Sequence, residues 1–273
     1  MIDPRVFQIS FLSILLAYGI LARDFSIAMP AVVVVLAVTL AGQGVAIVLG
    51  WAKKDSLLSA LISGLSILLL CRAQSVGLLA CAAALAIVSK FILRVRNKHF
   101  FNPTNFGILT ILLLTHRVWV SPGQWGADIL LASWIGILGL VVVMKSARLD
   151  TAFFFLGAYG ALLAARVFYL GQPGPVLFHQ LSSGTLVIFS FFMISDPRST
   201  PDHRVARAVF AVAVALFTYV FRFHFFDPAA PLWALLFLSP LTPLLDMLLP
   251  HQRFDWRSPH EIDSVTVRLA RDE

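Results

Sequence analysis

The sequence predicts an all-α integral membrane fold of about ten transmembrane helices, built as two inverted five-helix repeats; three observations carry that prediction. Of the 273 residues, 59% are hydrophobic and only 13% charged, with 23 Phe. A soluble core of this length does not need so much apolar surface, whereas a chain dissolved in hydrocarbon does. The apolar residues fall into runs near the length that crosses a bilayer as a helix, about 20 residues. Basic residues collect in alternate connections between those runs, as the positive-inside rule requires.

Taken in order, the runs are 6–22, 27–50, 56–71, 75–93, 103–120, 126–144, 150–169, 177–195, 204–221 and 229–249. The third and fifth are short or interrupted. The first leads straight into further spans, so no cleavable signal peptide is expected. With the N-terminus inside, sixteen Lys and Arg lie on the inner side and five on the outer, namely Arg23, Arg72, Arg117, Arg166 and Arg222. Both termini are then cytoplasmic, and the loop from Gly171 to Pro175, which has no basic residue, faces out. Residues 1–250 form the membrane domain, and the polar, mixed-charge residues 251–273 are expected as a cytoplasmic tail. The net charge of +7 would suggest nucleic acid in a soluble protein. Here it resides in short loops between spans, so nucleic acid is excluded and the lipid bilayer is the expected surroundings.

An internal echo supports the repeat. LISGLSILLL from Leu61 aligns with LSSGTLVIFS from Leu181, an offset close to half the spanning region. Repeat one covers about residues 1–122 and repeat two about 123–250. Halves of five spans each must insert with opposite topologies, the inverted-repeat architecture of many transporters. Span three then corresponds to span eight, with Leu65 where span eight has Thr185.

Two stretches carry the candidate site residues. Span eight holds Ser182, Ser183, Gly184 and Thr185 in its first turns and stops at Asp196-Pro197, since proline disfavours helical geometry in the residue before it. Such a cluster serves close helix packing, a threonine bonded back to its own helix, or attachment of a bulky prosthetic group. Eleven residues separate Thr185 from Asp196, roughly 16 Å along a helix axis, so topology places the threonine toward the outer surface. The second stretch is Asn102-Pro103-Thr104-Asn105 at the inner mouth of span five. It reads as a helix start, with Asn as cap and Pro in the first turn. Alternatively Asn102 and Asn105 line an interior cavity for a flavin, a small solute or an ion.

Other residues narrow the chemistry. Cys71 and Cys81 form no CxxC pair and cannot complete an iron-sulfur cluster or four-thiolate zinc site within one chain; buried apolar thiols are expected. His116, His179 and His224 all map outward, where a bis-histidine haem is conceivable and solvation is the ordinary role of an interfacial histidine. Arg166 and Arg222 read as snorkelling side chains. Asp196 and Asp246 read as caps or turn formers. No GxGxxG fingerprint is present, so the chain alone is not an NADH dehydrogenase.

Span eight and the residues after it resemble the RnfD/NqrB family, integral-membrane subunits of the Rnf and sodium-pumping NADH:quinone oxidoreductase complexes. The family places a threonine, in a motif of the form S-[GT]-A-T, on a helix that closes with a T-D-P-like end; here SSGT is followed by LVIFSFFMISDP. RVARAVFAVAVALFTYVFRF and PLWALLFLSPLTPLLDML resemble the last two spans, with Asp246 as the acidic residue near the end. KHFFNPTNFG, Lys98 to Gly107, resembles the H-x-FNP start of span five. In place of the family's pattern, Gly184 stands for the usual alanine and His179 for an acidic residue six positions before the threonine.

The resemblance implies a bacterial inner-membrane redox subunit with FMN joined to Thr185 through a phosphoester, made by a flavin transferase on the outer side. Ser182, Ser183 and Gly184 would surround the attachment, and other membrane subunits of an electron transport complex would be partners. Two alternatives stand beside it. The family's fold resembles that of urea transporters, so the chain could be a solute transporter or channel. RnfD-like proteins such as UnbU also accompany enediyne biosynthesis, which would make it an accessory membrane protein without flavin.

Overall fold

Apolar sequence forms long helices here, and the sharp bends fall where serine or proline interrupts it, at Ser182–Ser183 and at Pro240. The computed structural model describes residues 3–22, 25, 27–121, 136–137, 139–141, 143–144 and 148–254. Among the described residues four helices are long and apolar enough to cross a membrane: α1 (Pro4–Ala22), α2 (Met29–Val48), α6 (Leu149–Tyr169) and α9 (Arg204–Phe223). At 1.5 Å per residue each extends about 30 Å, the thickness of a hydrocarbon core.

The remaining elements are shorter. α3 (Leu57–Leu70) and α5 (Pro103–Thr115) each run into an extended segment, β1 (Cys71–Ala73) and β4 (Val118–Val120). These two segments pair antiparallel, Cys71 opposite Val120 and Ala73 opposite Val118. α4 (Val76–Ile92) is joined to α5 by the β2 (Arg94–Val95) and β3 (Lys98–His99) hairpin. Arg96 and Asn97 sit at its tip with φ of 50° and 65°, the left-handed pair that a two-residue type I′ turn requires. In the second half, α7 (Gly174–Leu181) meets α8 (Gly184–Ile188) at a bend of 51°, and α8 continues as a π-helical turn over Phe189–Met193. α10 (Ala230–Leu238) meets α11 (Leu241–Leu248) at 49°, with Pro240, which has no N–H to donate, in the break.

The chain is therefore a multi-pass helical membrane protein, and among the described residues four helices, or up to six when each bent pair counts as one, are long and apolar enough to be spans. Spans three and five are short and interrupted, as expected. Span eight, expected to run unbroken over 177–195, instead breaks at Ser182–Ser183, where Ser183 is extended with ψ of 121°. The aligned Ile62–Ser63 of α3 stays helical, so the two halves of the echo differ in local structure. Most of span six, and the tail from 255 on, lie outside the described residues.

Burial separates the elements into an inner and an outer set. α3 from Ser63 to Leu70, most of α5, all of α8 and most of α10 are buried. The long helices bury one face and expose Ile14, Leu21, Val33, Val48 and Phe168 on the other. The physical reason is backbone satisfaction. Non-helical backbone cannot face lipid, so broken elements must be shielded by unbroken ones. The long helices meet span eight in an aromatic core: Phe11 of α1 stacks on Phe192 at 5.0 Å, and Phe155 of α6 lies 5.0 Å from Phe189 and 5.8 Å from Tyr159.

α5 joins the two halves. Asn105 Nδ2 donates to the carbonyl of Leu232 at 3.0 Å, and Asn102 Nδ2 donates to that of Met193 at 3.3 Å. Gly107 lets α5 lie directly on α4, since a Cβ there would stand 2.3 Å from the carbonyl oxygen of Ala82. Cys71 is buried, as expected of an apolar thiol; Cys81 is not, and sits on the exposed face of α4.

Candidate functional site

Ser59, Ser63 and Ser66 recur at i, i+4 and i+7 along α3, a spacing that places all three on one helix face. That face borders a cavity of about 470 Å³, closed by Gln43 of α2, Lys90 of α4, Asn102 and Thr104 of α5 and the end of span eight at Met193–Arg198. Asn102 does two things at once. Its Oδ1 accepts from the Asn105 N–H at 3.1 Å as the cap of α5, and it also borders the cavity. Asn105 points elsewhere, to Leu232, and its Oδ1 is buried without a hydrogen-bond partner among the described residues.

The cavity is rich in positive charge. Arg5, Lys53, Lys90, Arg94 and Arg198 border it, all assigned to the inner side by the charge pattern. Two of its carboxylates are already engaged: Asp55 accepts from Arg5 at 3.3 Å, and Asp196 accepts from the Arg198 N–H at 3.1 Å and from Ser199 Oγ at 3.0 Å. Asp196 is thus the turn former expected of it. Lys90 is 5% exposed, with Nζ 3.2 Å from both the carbonyl and the Oγ of Ser59. His99, buried on the same wall, is held neutral: burial above all, then the charges of Lys90, Arg198, Arg94 and Lys98, push it well below the usual histidine range.

The SSGT stretch lies apart from this cavity; none of its four residues borders it. Thr185 is 4% exposed, and its Oγ1 donates to the carbonyl of Ser121 at 3.1 Å. The Ser121 N–H in turn donates to the Leu70 carbonyl at 2.8 Å, so the threonine is covered by the paired extended ends of α3 and α5. Ser182 Oγ donates to the His179 carbonyl at 3.2 Å. Gly184 and Ser183 are small, and the helix break frees backbone around them. A phosphoester needs a hydroxyl with small neighbours, which this arrangement supplies, and it needs access, which requires Ser121 to move off Thr185.

An ion network that sequence reading missed ties the halves together beside the cavity. Lys98 Nζ donates to Asp202 at 2.9 Å, Asp246 at 2.7 Å and the Thr200 carbonyl at 2.7 Å. Asp202 also meets Arg148 at 3.3 Å, and Asp150 pairs with Arg207 at 2.5 Å. Asp246, expected as a cap or turn former, instead accepts from the Asp202 N–H at 2.8 Å across 44 positions beside its ion pair with Lys98, while His203 caps α9. Lys90, counted in the sequence among the inner-side charges, lies buried within α4. An ionisable residue within an apolar run, opposite a serine stripe, is the signal that marks it.

Comparison with known proteins accords with this fold. Over 64 residues the chain is 36% identical to the RnfD component of the ion-translocating oxidoreductase complex of Halorhodospira halophila (strain DSM 244 / SL1), covering 23% of this chain and 18% of that protein. Over 73 residues it is 36% identical to the component of the same name from Stutzerimonas stutzeri, covering 27% and 20%. The matches thus span about a fifth of the length of these relatives. Residues 78–255, more than half of the chain, match the model of the NQR2, RnfD, RnfE family. The chain belongs to that family.

Proposed function

We propose that this protein is a membrane-embedded subunit of an ion-translocating electron transport complex and that it carries FMN on Thr185. The observation that carries the reading is the coincidence of family membership with a threonine hydroxyl at a break between two helices, flanked by Ser183 and Gly184. When bound, the flavin supplies the electron-carrying chemistry. The chain's own part is positional. Thr185 Oγ1 would hold the phosphate, Ser182 and Ser183 offer hydroxyls beside it, and the buried shell of Leu186, Val187 and Ile188 keeps water from the attachment. Other membrane subunits and a flavin transferase are its partners, with Thr185 on the outer side of a bacterial inner membrane. The third and fifth elements of each half are interrupted, by extended ends in the first half and by bends in the second, which supports the inverted repeat.

A second reading, a solute transporter, is favoured by one observation: the polar cavity of about 470 Å³ among broken helices. Intact mass separates the two. The purified protein and its Thr185→Ala variant, each expressed with an active flavin transferase, are compared by mass and in-gel fluorescence. An FMN-sized increment present only in the parent supports the redox subunit. If neither protein carries flavin, that reading fails, and solute flux in liposomes becomes the assay.

A further inference from the structure

We propose that the cavity at the basic end is a binding site for a phosphate oxyanion, borne by a phosphorylated small molecule or a lipid headgroup, with the Lys90 ammonium as its counter-charge. Lys90 is 5% exposed, and among the described residues no carboxylate lies within 4.0 Å of its Nζ. Buried charges are ordinarily paired, because an ammonium taken out of water without a counter-ion is strongly destabilising. Elsewhere at this end the chain follows that rule: Lys98, Arg148 and Arg207 all have carboxylate partners. Among the described residues the Lys90 ammonium donates hydrogen bonds only to Ser59, and the wall it faces borders about 470 Å³ of space.

The surroundings match an anion of more than one charge. Arg94 and Arg198 border the same space, and neither pairs with a carboxylate among the described residues. Arg94 Nε donates to the Lys90 carbonyl and its guanidinium lies 4.8 Å from the Phe91 ring, which leaves its other N–H groups for a ligand. Gln43 supplies an independent observation. It is 2% exposed, its Nε2 donates to Ser56 Oγ at 2.8 Å, and its Oε1 is buried on the cavity wall with no hydrogen-bond partner among the described residues. That oxygen accepts from a hydrogen phosphate or from a hydroxyl on the organic body, for which the volume leaves room.

This inference is independent of the flavin on Thr185, which lies outside the cavity. The test uses the full chain in detergent, with inorganic phosphate as the probe and chloride at matched ionic strength as the control. Phosphate is expected to raise the thermal midpoint and to give saturable heat by calorimetry. Lys90→Met should weaken it by about tenfold or more, the scale of one charge-assisted hydrogen bond. Lys90→Arg should retain binding. Arg198→Gln, at an exposed position, keeps the test open if Lys90→Met does not fold, and should weaken binding about threefold or more. Native mass spectrometry then separates the sources: an anionic phospholipid retained by the parent and lost in Lys90→Met identifies a headgroup, whereas phosphate binding without retained lipid identifies a soluble ligand. No phosphate effect, or an effect in folded Lys90→Met or Arg198→Gln equal to that in the parent, overturns the proposal.

Discussion

Thr185 and Ser121 lie 64 residues apart in sequence and meet through one hydrogen bond of 3.1 Å, threonine hydroxyl to serine carbonyl, in a buried contact. The bond ties the break in span eight to the extended end of α5. Thr185→Val removes the donor and leaves the Ser121 carbonyl unsatisfied. A loss of about 1–3 kcal/mol is expected, read as a lower midpoint in denaturant or heat, whereas Thr185→Ser should lie close to the parent. An unchanged valine variant would show that the contact is not made in the membrane.

Gly107 sets the spacing of α4 and α5. A methyl group at this position meets backbone, the Ala82 carbonyl at 2.3 Å, and backbone cannot turn aside as a side chain does. Gly107→Ala should therefore destabilise by about 1–3 kcal/mol as the helices part. Gly44, with nothing within 4 Å, is the control site, where alanine should cost little.

Lys98 holds two carboxylates from the second half, Asp202 and Asp246. Removing the lysine leaves Asp202 with Arg148 and leaves Asp246 with only the Asp202 N–H. Lys98→Met should lower stability by about 3 kcal/mol, because one partner of a largely buried pair is removed. A double-mutant cycle with Asp246→Asn should return a coupling of about 1–3 kcal/mol. Independent, additive effects would mean that the pair does not fasten the halves.

His99 makes stability depend on pH with a defined sign. Its folded value is depressed well below 6.5 by burial and by neighbouring cations, whereas the unfolded chain titrates near the ordinary value. Below about pH 6.5 the unfolded state takes up a proton that the folded state refuses, so stability falls as pH falls. Above that pH the residue contributes no slope. Unfolding midpoints measured from about pH 7.5 to 5 should decline, and His99→Gln should flatten the decline.

Composition and run length were sufficient for the solvent and the class of secondary structure. An apolar stretch such as Met29–Val48 has no other stable form in hydrocarbon than a helix, since every backbone group must be satisfied within the segment. Local chemistry also made the cap at Asn102 and the turn at Asp196 legible, because each depends on residues within three positions. The spacing of Ser59, Ser63 and Ser66 was equally present in the sequence, but a serine stripe has no meaning until something faces it. Which segments meet was a property of packing alone. Lys90 reaches Ser59 across 31 positions, Asn105 reaches Leu232 across 127 and Lys98 reaches Asp246 across 148. The break at Ser182–Ser183 has the same origin. A serine pair before glycine is tolerated within a helix and outside one, and the choice falls to the buried partners that Ser121 and the core around Phe189 provide. Covalent order decides what a segment can become; burial without lipid contact decides which of those forms it takes.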